Sequence, residues 1–276
     1  MRLQGPIDST IESDGRAASG DHTPILPHSG VKPVPNSYPP QVLKTLFLDA
    51  GGVLVHPNWA RASETLARYG VAVSPAALAT ADLHAKRAFD TPEPPKVASD
   101  ADRGWIYFNL LLEKAGVART PQTDAALTEL SAYHREHNLW EYVPDEVRPA
   151  LERLRATGLT MVVVSNANGT VAQMFERLDL ARYFDRIFDS QIEGVEKPDP
   201  RFFQIALDGS GSKPETTLHV GDLYHVDVAG ARSAGLRAAL IDPEGLYPTA
   251  DCPRYRSLTE LAAAVVAEVE DGGSAA

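Results

Sequence analysis

The sequence predicts an α/β protein, a parallel sheet covered by helices on both faces and interrupted by one all-helical insertion. Three observations carry this expectation. Short apolar runs, rather than alternating ones, mark strands buried on both faces; "TLFLD" (45–49), "LTMVVVS" (159–165), "TLHVGD" (217–222) and "LRAALID" (236–242) are of this kind, and "RIFDS" (186–190) is a weaker fifth. Helical text separates the later runs, and strand alternating with helix implies a parallel sheet. Between Val55 and Trp140 that rhythm stops, and the text is helical throughout.

In chain order, residues 1–40 are rich in Pro, Ser, Gly and Asp and poor in large apolar side chains. Such a stretch buries too little surface to offset its chain entropy, so it is expected to be a disordered extension. The core begins near residue 41 and continues to 56. An insert over 57–141 follows, with four helical segments: "NWARASETLARYG", "SPAALATADLHAKRAF", "DRGWIYFNLLLEKAG" and "TDAALTELSAYHREH". A Pro-rich break, "TPEPPK" (91–96), divides it. Ligands bind beyond the carboxyl ends of a parallel sheet, so an insertion directly after the first strand is expected to lie over the site. The core resumes over 142–268. Its first helix, "PDEVRPALERLRATG" (144–158), spaces Val147, Leu151 and Leu154 helically and carries acids in its first turn. Gly158 stands where a left-handed cap ends a helix, and Gly116 and Gly235 repeat that signature. "LTELAAAVVAEVE" reads as a final surface helix, and residues 269–276 as a disordered tail.

Composition excludes some functions. The net charge is −11, with no basic patch of the kind nucleic-acid and membrane-surface proteins carry. No stretch reaches the ~20 apolar residues of a membrane span. The N-terminus lacks an apolar signal-peptide core, and a single cysteine, Cys252, allows no internal disulfide. A cytoplasmic protein is expected, with Cys252 structural.

If the strands are parallel, their ends gather Asp49, Ser165 with Asn166, and Asp222 with Asp227 at one edge, while Lys197 lies in the loop "GVEKPDP". Several carboxylates converging near a core point to a bound cation. Oxygen donors suit a hard ion, and Mg²⁺ typically takes one or two carboxylates plus a phosphate.

These stretches resemble the four motifs of the haloacid dehalogenase (HAD) superfamily: Asp49-Ala-Gly-Gly-Val-Leu, Ser165-Asn166, Lys197-Pro198-Asp199 and "GDLYHVD" (221–227), in that order. The helical insert resembles the C1 cap of subfamily I, and the resemblance covers about 41–268. It implies a Rossmann-like core and Mg²⁺-dependent hydrolysis of a small phosphorylated metabolite. Asp49 would be the nucleophile, forming an aspartyl-phosphate. Ser165, Asn166 and Lys197 would bind the phosphoryl group. Asp49, the backbone carbonyl of Gly51 and Asp222 would hold Mg²⁺, and Asp227 would support the ion or orient Lys197. Phosphatases of this superfamily usually carry a second Asp two residues after the first, as general acid and base; here that residue is Gly51. General acid–base catalysis is typically worth ~10²–10⁴-fold. Gly51 leaves four readings: a phosphatase that gets its proton elsewhere or needs none, a weakly catalytic protein that binds a phosphorylated ligand or partner, a phosphonatase using Lys86 or Lys96, or a true dehalogenase. Other features have bland alternatives. His134 and His137 make a weak zinc pair, His56 and His225 are surrogate proton donors or loop polarity, and Trp105, Tyr107 and Phe108 read as insert core. Lys86 and Arg87 present charge to a substrate or to solvent.

Overall fold

The computed structural model describes residues 42–92 and 100–273. The extension expected at 1–40, Lys96 and most of the Pro-rich break lie outside the described residues. Strand β1 (Thr45–Leu48) leads into helices α1 (Trp59–Arg68), α2 (Pro75–Phe89), α3 (Asp100–Lys114) and α4 (Pro121–His137). The chain then alternates: α5 (Val147–Ala156), β2 (Thr160–Ser165), α6 (Val171–Arg177), β3 (Arg186–Asp189), the short α7 (Ser190–Glu193), α8 (Pro200–Ser210) and β4 (Thr217–Gly221). A π-helical turn (Tyr224–Ala229), α9 (Gly230–Ser233), β5 (Arg237–Ile241), β6 (Arg254–Tyr255) and α10 (Leu258–Gly273) complete it. The strands form one sheet in the order β3-β2-β1-β4-β5-β6, every pair parallel.

Side chains on successive strand residues point to opposite faces, and this divides the core into two layers. Leu46, Leu48, Met161, Val163 and Val220 pack on one face with α5, α6 and α10. Phe47, Val162, Val164 and Leu240 pack on the other with α8 and α9. Leu46, Phe47 and Leu48 are wholly buried, each worth about 1.5–3 kcal/mol. That continuous burial explains why β1 reads as an unbroken apolar run. The insert has its own core, built around Leu66, Leu78, Leu111 and Leu127. Its two connections to the sheet run side by side. His56 and Tyr142 exchange backbone hydrogen bonds (2.8 and 3.0 Å), and Asn58 N–H donates to the Leu139 carbonyl (2.8 Å).

All five expected strands form, and Gly116, Gly158 and Gly235 have positive φ. Two details differ from expectation. Beyond the five expected strands, Arg254 and Tyr255 form a sixth, β6, against β5; two residues are too short for any periodicity to register. At the C-terminus α10 runs to Gly273, beyond the 268 boundary expected for ordered chain.

Candidate active site

Each motif stands where its strand runs out. Asp49 follows β1, Ser165 closes β2, and Asp222 follows β4. The Asp49 N–H donates to the Val220 carbonyl (2.9 Å), which fixes the nucleophile loop against β4. Leu54 N–H and Val55 N–H both return to the Ala50 carbonyl (2.9 Å each), curling the loop into a tight turn. At Gly52 (φ +78°) a Cβ would collide with the Asp222 carboxylate and lie 2.7 Å from Lys86 Nζ. Only glycine lets these charged groups approach the backbone so closely.

The charges are arranged in a chain. Lys197 Nζ lies 3.1 Å from Asp49 Oδ1 and 2.7 Å from Asp227 Oδ1, with its side chain fully buried. Asp227 Oδ1 also meets His219 Nε2 (3.0 Å), and its Oδ2 accepts from Leu223 N–H (3.0 Å). Burial alone would raise the Asp227 carboxyl, but Lys197 and His219 outweigh it and hold it well below the usual carboxylate range. Burial drives the Asp49 carboxyl upward against the pull of Lys197 and the Ser165 hydroxyl that hydrogen-bonds it. Burial likewise pushes Asp222 up to about 7, against its ion pair with Lys86 and helped by the charges of Asp49 and Asp227. Carboxylate oxygens of Asp49, Asp222 and Asp227 lie within 4.8 Å of one another. An all-oxygen cluster whose burial disfavours its own charge fits a hard divalent cation.

All the expected site residues reach this edge, and Asn166 is engaged differently from the expectation. The Asn166 amide is not turned to a ligand. It clamps the Lys197 backbone, donating to the carbonyl (2.8 Å) and accepting from the N–H (2.7 Å). Asp227, expected to support the ion or to orient Lys197, has its oxygens engaged by Lys197, His219 and the Leu223 N–H, the arrangement of a residue that anchors Lys197. Of the features set aside, His134 is turned inward, its Nδ1 accepting from Leu139 N–H (3.1 Å). Phe108 is buried in the insert core with Trp105 and Tyr107 against it. Cys252 is buried, which pushes its thiol up to about 11.

Three participants were not foreseen. His219 sits inside "TLHVGD", where a lone imidazole in a buried apolar run was the available signal. Trp140 touches the nucleophile loop: a Cβ on Gly51 would lie 3.3 Å from two atoms of its indole. Lys86, weighed as a Schiff-base lysine or as a charge facing substrate or solvent but not as a partner of the motif carboxylates, reaches from α2 to Asp222 Oδ2 (2.7 Å) and lies 3.6 Å from Asp82. Tyr107 hydroxyl donates to that same Asp82. A few residues on, Asp90 accepts from His225 N–H (2.9 Å) and from Tyr247 hydroxyl (2.8 Å). The C-terminal end of α2 is thus fastened to the sheet edge. Between them remains a cavity of about 40 Å³ bordered by Gly52, His56, Lys86 and Asp222, little more than a water's share of space. Among the described residues, no helix is long and apolar enough to cross a membrane.

Comparison with known proteins agrees with this geometry. The family of haloacid dehalogenase-like hydrolases matches residues 43–235. Haloacid dehalogenase-like hydrolase domain-containing protein 3 of Homo sapiens is 30% identical over 217 residues, covering 76% of this chain and 86% of that protein. Phosphoserine phosphatase of Thermus thermophilus is 38% identical over 144 residues, 51% of this chain and 55% of the enzyme. Among solved structures, the putative HAD-hydrolase YfnB from Bacillus subtilis, bound to magnesium, aligns with a TM-score of 0.57 at 21% identity, over 82% of this chain and 99% of that one. With four motifs converging at one sheet edge and a match over most of its length, this chain belongs to the haloacid dehalogenase-like hydrolases.

Proposed function

We propose that this hydrolase is a Mg²⁺-dependent phosphohydrolase acting on a small phosphorylated metabolite through an aspartyl-phosphate on Asp49. The observation that carries the reading is the Asp49–Lys197–Asp227 chain, which holds a nucleophile, a buried cation and its anchor in register. Lys197 steadies Asp49 and supplies positive charge where phosphoryl oxygens accumulate negative charge. Ser165 donates a hydrogen bond to the same region. Asp49, Asp222 and the Gly51 carbonyl would hold Mg²⁺, which when bound would neutralise charge on the phosphoryl group. The four-helix insert serves as a cap that opens to admit substrate and closes to exclude water. A relative that is a phosphoserine phosphatase supports a phosphate monoester as substrate.

A second reading, binding of a phosphorylated ligand without efficient turnover, rests on Gly51 alone. The phosphonatase reading loses support, because a Schiff base needs a neutral amine. Burial would lower the Lys86 pKa, but Asp222 and Asp82 outweigh burial and raise it, so the amine stays charged. The test is phosphate release across a panel of phosphorylated metabolites with Mg²⁺. Turnover is expected on at least one member, and Asp49→Asn abolishes it. A panel with no release above the Asp49→Asn background would leave the binding reading.

A further inference from the structure

The position two residues after the nucleophile is not merely vacant of an acid; another side chain fills the space. Trp140 lies in the segment that returns from the insert to the sheet. Its N–H donates to Asn138 Oδ1 (3.0 Å), and Asn138 is tied to Thr170 through its amide (3.0 Å). The indole stands against His134 (ring centroids 5.2 Å apart), Tyr107 and Phe108 (6.3 Å each). It packs on the sheet core and on the insert core at once. Held from so many sides, it presents Cδ1 and Nε1 each 3.3 Å from where a Gly51 Cβ would be. A side chain at residue 51 would press on this ring, which would have to give by a few tenths of an ångström at Cβ alone.

The other buried ionisable groups at the edge are committed. Asp49 is the attacking group. Both oxygens of Asp227 are occupied, as described above. Asp222 is paired with Lys86, and Lys86 with Asp222 and Asp82. Of the other groups bordering the cavity, Asp242 accepts from Arg254 and from the Leu246 and Tyr247 N–H groups, Arg87 donates to the Leu246 carbonyl, and the Tyr247 hydroxyl donates to Asp90. Glu244 is exposed to solvent at the rim, and His56 is kept neutral by burial and by the charge of Lys86, with its pKa down to about 4. An indole N–H donates a hydrogen bond but does not give up its proton at neutral pH.

We infer that Gly51 and Trp140 together make this enzyme selective for phosphorylated substrates whose leaving oxygen departs as a stable anion, namely acyl and aryl phosphates, and slow on alkyl phosphates. The inference rests on the phosphohydrolase reading and narrows its substrate class. In the first step an Asp49 oxygen bonds to phosphorus. The bond from phosphorus to the leaving oxygen breaks, its electron pair stays on that oxygen, and the group leaves as carboxylate or phenolate with no proton required. In the second step a water oxygen bonds to phosphorus and the electron pair of the phosphorus–Asp49 bond returns to the carboxylate. The water's proton leaves with the phosphate or to solvent. Asp49 is itself a carboxylate leaving group here, so neither departure calls for an acid.

The experiment measures kcat/KM, which reads the first step, with Mg²⁺ on acetyl phosphate, a series of substituted phenyl phosphates and small alkyl phosphates. The proteins are wild type, Gly51→Asp, and Gly51→Asp combined with Trp140→Ala. Wild type is expected to fall steeply as the leaving group becomes more basic. Gly51→Asp alone, with the indole in place, leaves alkyl phosphates unimproved. The double variant raises the ratio of alkyl to aryl kcat/KM by at least about tenfold, part of the ~10²–10⁴ that acid catalysis is worth. The wild-type profile needs no variant to fold, and it decides if the double variant does not. Comparable wild-type turnover of alkyl and aryl phosphates, or Gly51→Asp gaining as much as the double variant, overturns the inference and leaves the phosphohydrolase reading standing. No turnover of any member above Asp49→Asn removes that reading, and this inference with it.

Discussion

The two sides of the nucleophile loop are built to different standards. Toward the sheet, Asp49 is locked to Lys197, and Lys197 to an Asp227 that has no free oxygen. Toward the insert, the same loop offers two glycines, one under an indole and one under a lysine–aspartate pair. In the proposed reaction the first side serves attack on phosphorus. The second is shaped for whatever leaves, and it is where this chain departs from the phosphatase pattern its motifs resemble. Attack chemistry is common to all substrates, so its machinery is rigid; the leaving side varies with the substrate.

The largest effect should come from breaking the wired side. Asp227→Ala leaves Lys197 buried with one partner fewer, and leaves His219 Nε2 and Leu223 N–H without an acceptor. Removing one member of a buried pair costs about 3–5 kcal/mol. Urea unfolding should register that loss. Turnover of any substrate found should fall about 10²-fold or more as Lys197 loses its fixed position. Unchanged stability would mean that the chain of charges is not what organises this side.

On the insert side the corresponding prediction concerns pH. His56 is half-buried beside Lys86, and desolvation and that charge together depress its pKa to about 4, against an ordinary value of 6.5. The unfolded chain therefore binds a proton at its imidazole before the folded one does. Stability from this group is complete above pH 6.5 and is lost as pH falls toward 4, by about 3 kcal/mol in all. Wild type should lose that much more than His56→Gln between pH 7 and 4 in urea unfolding. Parallel curves for the two proteins would show that His56 titrates normally in the folded state.

Legibility in the sequence followed the same division. Asp49, Ser165 and Asp222 were readable because strand ends in a parallel sheet converge, and the strands announced themselves as unbroken apolar runs; Lys197, in a loop, was readable from its place in the motif order. The partners of those residues were less readable. Asn166 is polar beside a serine, and nothing in its neighbourhood says that its amide clamps a backbone 31 positions away. Trp140 and Lys86 reach the site only because the insert folds back, at a contact between chain segments 89 and 136 residues apart. Such contacts depend on helix packing, and helix periodicity states which face is buried but not against what. His219 is the exception, since an imidazole within a strand wholly buried on both faces must have a partner.

The smallest predicted effect is the most direct comparison of the two glycines. Gly52 has a φ of +78°, where an L side chain costs about 1–2 kcal/mol, and a Cβ there would run into the Asp222 carboxylate. Gly51 has no such backbone demand, and its Cβ would need only a shift of a few tenths of an ångström from the indole of Trp140. Gly52→Ala should therefore destabilise by at least about 2 kcal/mol, because strain and displacement of Asp222 add. Gly51→Ala should cost about 1 kcal/mol or less, and Trp140→Phe should relieve part of it. The order matters more than the values. If Gly51→Ala proves the costlier change in urea unfolding, the indole is packed too rigidly to yield. Residue 51 would then be glycine because the fold requires it, and selectivity for the leaving group would be a by-product of packing.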